Sequence, residues 1–132
     1  MELNSNKVIV SASKADIIAY LSNAENIWDL LPQDKVSDFK ATTEQCSFKV
    51  QGGITISLIE NGATENELYL KSGEKSPFAF KLTVKLSEVE AGIEGYIHFD
   101  GEVNMFLKMM VEKPLTALFN YMSDKLKTKF SH

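Results

Sequence analysis

Glu94, Tyr96, His98 and Asp100 alternate along the run from Ile93 to Glu102. In an extended strand every second side chain shares a face, so all four project together. A phenol, an imidazole and two carboxylates so placed could shuttle a proton on an enolisable ketone. The preceding run tests that idea. Phe78, Phe80, Leu82, Val84 and Leu86 alternate there with Ala79, Lys81, Thr83 and Lys85. If Leu82 pairs with Ile97 and Phe80 with Phe99, then Lys85 faces Glu94, Thr83 faces Tyr96 and Lys81 faces His98. Opposed lysine and carboxylate belong to an exposed sheet face. The same register sends the large apolar residues of this hairpin to the opposite face. The quartet therefore reads as a solvated surface, and no residue is assigned a catalytic role.

Other reactive groups are few. Cys46 is the only cysteine, so no intrachain disulfide forms. It lies in the alternating run Cys46-Ser47-Phe48-Lys49-Val50 and reads as a small buried hydrophobe. The only bases of imidazole type are His98 and His132. One cysteine and two histidines cannot build a standard zinc site, and no phosphate-loop, Gly-x-Ser-x-Gly or His-Glu-x-x-His motif is present. No metal or cofactor is expected.

Composition narrows the class. The chain has 132 residues, 44% hydrophobic and 24% charged, as a single soluble domain spanning 1–132 would. All 14 basic residues are lysines, set against 18 acidic ones for a net charge of −4. Without arginine forks on an acidic chain, nucleic acid is not an expected partner. No apolar run approaches the ~20 residues of a membrane-spanning helix. The start, Met1-Glu2-Leu3-Asn4-Ser5-Asn6, lacks a basic and apolar leader, so a cytoplasmic location is expected.

The elements that must position any site follow from periodicity. A first strand is predicted over 5–12. Ser13 and Asp16 fit a capping box that opens a short helix to about Ser22, and Asn23 caps a second, Ala24 to Leu31, which Pro32 ends. Strands follow over 36–42, 45–51, 54–60, 66–72, 78–86 and 93–102. Gly52-Gly53 marks a turn, and so does Asn61-Gly62, with its loop running on to Glu65. Near Val103 the rhythm changes to three- and four-residue steps: Phe106, Leu107, Met110, Val111, Leu115, Leu118, Phe119, Met122 and Leu126. Pro114 lies inside this helix, and a kink or break is expected near Met110 to Lys113.

This order of elements resembles the START-related helix-grip superfamily (SRPBCC), which includes birch-pollen-allergen-like proteins, lipid-transfer START domains and polyketide cyclases. Two segments are similar to its small bacterial members: the paired short helices of Ser13 to Pro32, and Asn104-Met105-Phe106-Leu107-Lys108-Met109-Met110-Val111-Glu112-Lys113-Pro114-Leu115 opening the last helix. The resemblance covers essentially the whole chain. It implies an α+β helix-grip fold: a seven-stranded curved antiparallel sheet wrapped around a long C-terminal helix, with two short helices between strands 1 and 2. It also implies an elongated apolar cavity between sheet and helix.

The inward face, from Cys46 to Phe99, holds no histidine, carboxylate or amide. That disfavours catalysis, which needs positioned polar groups. The expected partner is therefore an apolar or amphipathic small molecule of lipid, quinone or polyketide class, bound by a monomer or weak dimer. The expected lining is Trp28, Phe48, Ile56, Leu70, Phe80, Leu82 and Phe99 from the sheet side. From the helix side it is Phe106, Met109, Met110, Lys113 and Tyr121, with Lys113 or Lys108 meeting an anionic head. Trp28 and Leu31 read first as packing under the second short helix and alternatively as a cap on the mouth, and Gly95 and Gly101 would leave room for the helix or a pocket. Two alternatives stand beside this one: a cyclase- or aromatase-like enzyme, and a protein-interaction module with a vestigial cavity.

Overall fold

The alternating middle of the chain folds into one antiparallel sheet. The computed structural model describes residues 1–50 and 52–130. Its elements are β1 (Glu2–Asn4), β2 (Val8–Val10), α1 (Lys14–Ser22), a 3-10 helix (Ala24–Leu30), β3 (Ser37–Ala41), β4 (Gln45–Lys49), β5 (Thr55–Ala63), β6 (Glu67–Ser72), β7 (Phe80–Val89), β8 (Gly92–Gly101) and α2 (Met105–Lys129). The strand order is β1-β8-β7-β6-β5-β4-β3, with β2 also paired to β8. The sheet is curved, the class is α+β, and the architecture is the helix grip. The predicted strand end at Gln51 and the terminal His132 lie outside the described residues.

Only β2 falls within the predicted first strand; β1 precedes it as an unpredicted strand on the same edge, so eight strands fill seven positions. The break falls at Ser5 to Lys7. Ser5 is buried, and its backbone N–H donates to the Ile97 carbonyl at 2.8 Å. Its hydroxyl accepts from the Ile97 N–H at 2.8 Å and lies 2.7 Å from the Ser123 hydroxyl on α2. The next residue donates its backbone N–H to Asn120 Oδ1 at 2.7 Å. A side chain thus replaces the backbone in the ladder, and the gap fastens the sheet edge to the middle of α2.

Local chemistry sets the helix ends. The Ser13 hydroxyl accepts from the Asp16 N–H at 3.1 Å and opens α1, and Asn23 Oδ1 accepts from the Glu25 N–H at 3.0 Å. The second short helix is of 3-10 type and stops at Leu30, before Pro32. Asn104 caps α2 through the Leu107 N–H at 2.9 Å. The expected break does not occur, and α2 runs unbroken through Pro114. The carbonyl that Pro114 orphans belongs to Met110, half-exposed on the solvent side, where water can replace the missing donor.

Two turn readings change. Asn61-Gly62 lies inside β5 at a register shift between Glu60 and Ala63, with Gly62 at φ 96°, so it forms a bulge. The reversal comes afterwards, where the Thr64 hydroxyl accepts from the Asn66 and Glu67 N–H groups. In the last hairpin Val89 pairs with Gly92, leaving only Glu90 and Ala91 as the loop. Leu82 therefore pairs with Phe99 and Thr83 with His98, two residues away from the expected register. A shift of two preserves facing, so the division into apolar and polar faces is unchanged.

Candidate ligand-binding site

The sheet's concave wall is built by alternation. Phe48, Ile56, Leu70, Phe80, Leu82 and Phe99 come from five successive strands and are all buried. Phe99 is fully buried and anchors an aromatic cluster: its ring centroid lies 5.2 Å from Phe80, 6.3 Å from Phe78 and 5.5 Å from Phe119 of α2. Phe119 is thus the helix's contribution to the wall, and it is absent from the sequence-derived lining, as are Phe78 and Phe39. Its place in the three- and four-residue stripe was the available signal. At the other end Trp28 packs on Phe39 at 5.1 Å, and Phe39 stacks towards Phe48 at 6.4 Å. Trp28 is half-buried and forms the outer rung of this aromatic ladder.

Polar side chains are scarce inside. Among the described residues the buried polar ones are Ser5, Ser57 and Ser123. Cys46 is the titratable group of the wall, and burial pushes its thiol up to about 12. A neutral thiol buried this way is a weak nucleophile. Its stabilising contribution is intact below the ordinary thiol value of 9.0 and drains away as pH rises towards 12. In native protein near neutral pH, iodoacetamide should leave Cys46 unmodified, whereas urea-unfolded chain alkylates rapidly. Rapid labelling of the native state, read by intact mass, would contradict this burial.

The two glycines expected to leave space do not. A Cβ on Gly95 would meet Leu86 at 3.1 Å, and one on Gly101 would meet the Phe99 ring at 2.7 Å. Neighbouring side chains already occupy both gaps.

The helix side departs most from expectation. Phe106, Met109, Met110 and Lys113 lie in solvent, with Met105, and Tyr121 is partly exposed too. Helical phase is the reason. At roughly 100° per residue, positions 105, 106, 109, 110 and 113 fall opposite Val111, Leu115, Leu118 and Met122, which are buried. Both stripes are apolar, so spacing alone does not reveal which one meets the sheet. Lys108 is also exposed and pairs with Glu112 at 3.8 Å, a bond within the helix surface. The lining expected from sequence therefore divides into a buried wall and an outer ridge.

The helix is fastened at one end. Its closest backbone approaches are to β2, the 3-10 helix, β1 and β8. Ser123 and Asn120 hold its middle, as described above. Near its C-terminus Lys129 lies 3.9 Å from Asp29 and over the Tyr20 ring at 5.4 Å, while Phe130 meets Tyr20 edge-on at 5.6 Å. The Tyr20 hydroxyl donates to Asp29 at 3.1 Å. Burial first, and then this carboxylate, push the Tyr20 phenol well above its ordinary range. Met105 to Met110, by contrast, contribute only Leu107 as a half-buried side chain.

The acid–base quartet lies on the opposite, convex face, engaged with surface neighbours. Lys7 stands 3.9 Å from Glu94 and 5.3 Å above the Tyr96 ring. His98 Nδ1 is 2.7 Å from Asn4 Oδ1, and its Nε2 is 3.3 Å from Glu2. Asp100 pairs in register with Lys81. Glu94 and Tyr96 border an open groove of about 510 Å³ that His98 and Asp100 do not line. No group of three or more His, Cys, Asp or Glu able to hold a metal is found among the described residues.

Comparison with solved structures places this architecture. A protein of Thermus thermophilus superposes with a TM-score of 0.75 at 12% identity, covering 98% of this chain and 97% of that one. A START superfamily protein of Mycobacterium smegmatis superposes at 0.63 and 13% identity, covering 98% and 96%. The fold is START-like. The XoxI protein of Bacillus cereus superposes at 0.63 and 13% identity, covering 98% and 94%. No protein-family model and no curated protein matches the chain. Among the described residues of this START-like fold, no helix is long and apolar enough to cross a membrane.

Proposed function

We propose that this chain binds a hydrophobic or amphipathic small molecule, without catalysing its conversion, between the concave sheet face and the first half of α2. One observation carries the reading: an apolar wall poor in polar side chains is closed by a helix fastened only at its middle and far end. Uptake then needs the first turns of α2, Met105 to Met110, to lift away from the packed helix that begins at Val111, and Pro114 lies within one turn of that boundary. A helix lacking one hydrogen bond there bends at lower cost than an intact one. The wall itself selects by size and apolarity, because it offers few directional groups. A lipid, quinone or polyketide tail fits these conditions, with any polar head left at the helix end beside Lys108 or Lys113.

The test is native mass spectrometry of protein purified from its own host, then thermal-shift assays against fatty acids, sterols and quinones. A stoichiometric extractable ligand, or a saturable rise in Tm with one class, is the expected result. A ligand-free mass together with no shift across the panel removes the reading.

A further inference from the structure

We infer that the first two turns of α2 dock the protein on a lipid surface bearing anionic headgroups. The starting point is exposure: Met105 is 80% accessible, Phe106 73%, Met109 82% and Met110 52%. They form one contiguous convex ridge, because residues three and four apart are neighbours on a helix. At about 200 Å² for a fully exposed side chain of this size, the ridge presents roughly 600 Å² of apolar surface, the upper end for a monomer's largest patch. Scattered exposed apolar residues need no explanation, but a ridge of this size does.

Geometry and charge choose the occupant. A stable isologous dimer needs about 800 Å² per partner, more than this ridge supplies, and pairing through it would oppose two copies of Lys113. A convex helix end suits a fluid interface instead. Lys113 follows Met109 and Met110 by one turn, and Lys108 stands beside them, both exposed. If the ridge sinks to the acyl boundary, Lys113 reaches headgroup phosphates while its alkyl stem stays apolar, and Lys108 does so by exchanging its exposed pair with Glu112 for a phosphate. Methionine and phenylalanine here also lie opposite the buried stripe, so insertion costs no core contact. This docking is independent of what the concave face holds.

Flotation of ligand-free protein with vesicles of phosphatidylcholine and phosphatidylglycerol in equal parts tests it. Wild-type protein should float with the vesicles. A Phe106→Asp/Met109→Asp double variant should lose on the order of tenfold or more in partitioning, and Lys113→Glu several-fold. Both variants alter exposed positions, and unchanged circular dichroism and Tm confirm folding. Failure of wild-type protein to float, or equal flotation of the double variant, overturns the inference. So does a dimer in sedimentation velocity that the double variant dissolves, since the ridge would then belong to a second copy. Ligand binding measured by thermal shift in the double variant, whose two side chains project away from the concave wall, should be unaffected, which separates this result from the cavity reading.

Discussion

Phe99→Ala is expected to cost about 4 kcal/mol of folding stability, lowering Tm by about 15 °C. Phe99 is fully buried and touches three other aromatic rings, so its removal takes away both transfer energy and ring–ring contact. Collapse around the vacancy is limited. Phe80 and Phe119 approach from opposite layers, the sheet and the helix, and neither can move without displacing its own element. Phe106→Ala supplies the contrast, because Phe106 projects into solvent and its truncation should change stability by less than about 0.5 kcal/mol. Urea denaturation of both variants measures the difference. Equal effects would mean that the two phenylalanines are not divided between core and ridge as described.

Pro114→Ala is expected to stabilise the protein while slowing ligand uptake. Proline inside a helix is about 3 kcal/mol worse than alanine, and the greater freedom of alanine in the unfolded chain returns up to about 1 kcal/mol. The net gain of about 2 kcal/mol corresponds to a Tm rise near 8 °C. The restored N–H bonds the Met110 carbonyl, so amide exchange over 105–113 should slow most. If that segment is the moving wall, the association rate of any cavity ligand falls in the same variant. Unchanged exchange and unchanged stability would show that the Pro114 ring compensates through packing, and the hinge would be lost with it.

How much of this is legible in the sequence depends on whether one periodicity dominates locally. Within each strand from Cys46 to Phe99 the buried apolar residues keep one parity, even through Leu86 and odd from Ile93, so strand identity and facing can be read even though the last hairpin's register cannot. That register is set by a two-residue loop at Glu90-Ala91, which carries none of the usual turn residues. Asn61-Gly62 carries the strongest such signal and becomes a bulge, because either structure needs a residue at positive φ. The break at Ser5 is hidden for another reason. A serine hydroxyl standing in for a backbone group needs a partner from far along the chain, here Ser123. The site is legible in its composition but not in its phase: α2 carries two apolar stripes, and only tertiary contact decides which is inside.

The fastening of the first residues to β8 has a consequence for how the chain is made. The N-terminal ammonium donates to the Gly101 carbonyl at 2.7 Å, and Leu3 and Val8 pair with Phe99 and Gly95. β1 and β2 leave the ribosome well before β8 and are therefore placed long after they are made. Until β8 is synthesised, β1 and β2 have no ladder to join, and until they join it, the long outer edge of β8 lies open. Such an edge templates pairing with other chains. The opposite edge, β3, is short and distorted by Asp38 at φ 55°, and so is poorly suited to that role. Between the emergence of β8 and the return of β1 and β2, that edge of the nascent sheet stays available to other chains.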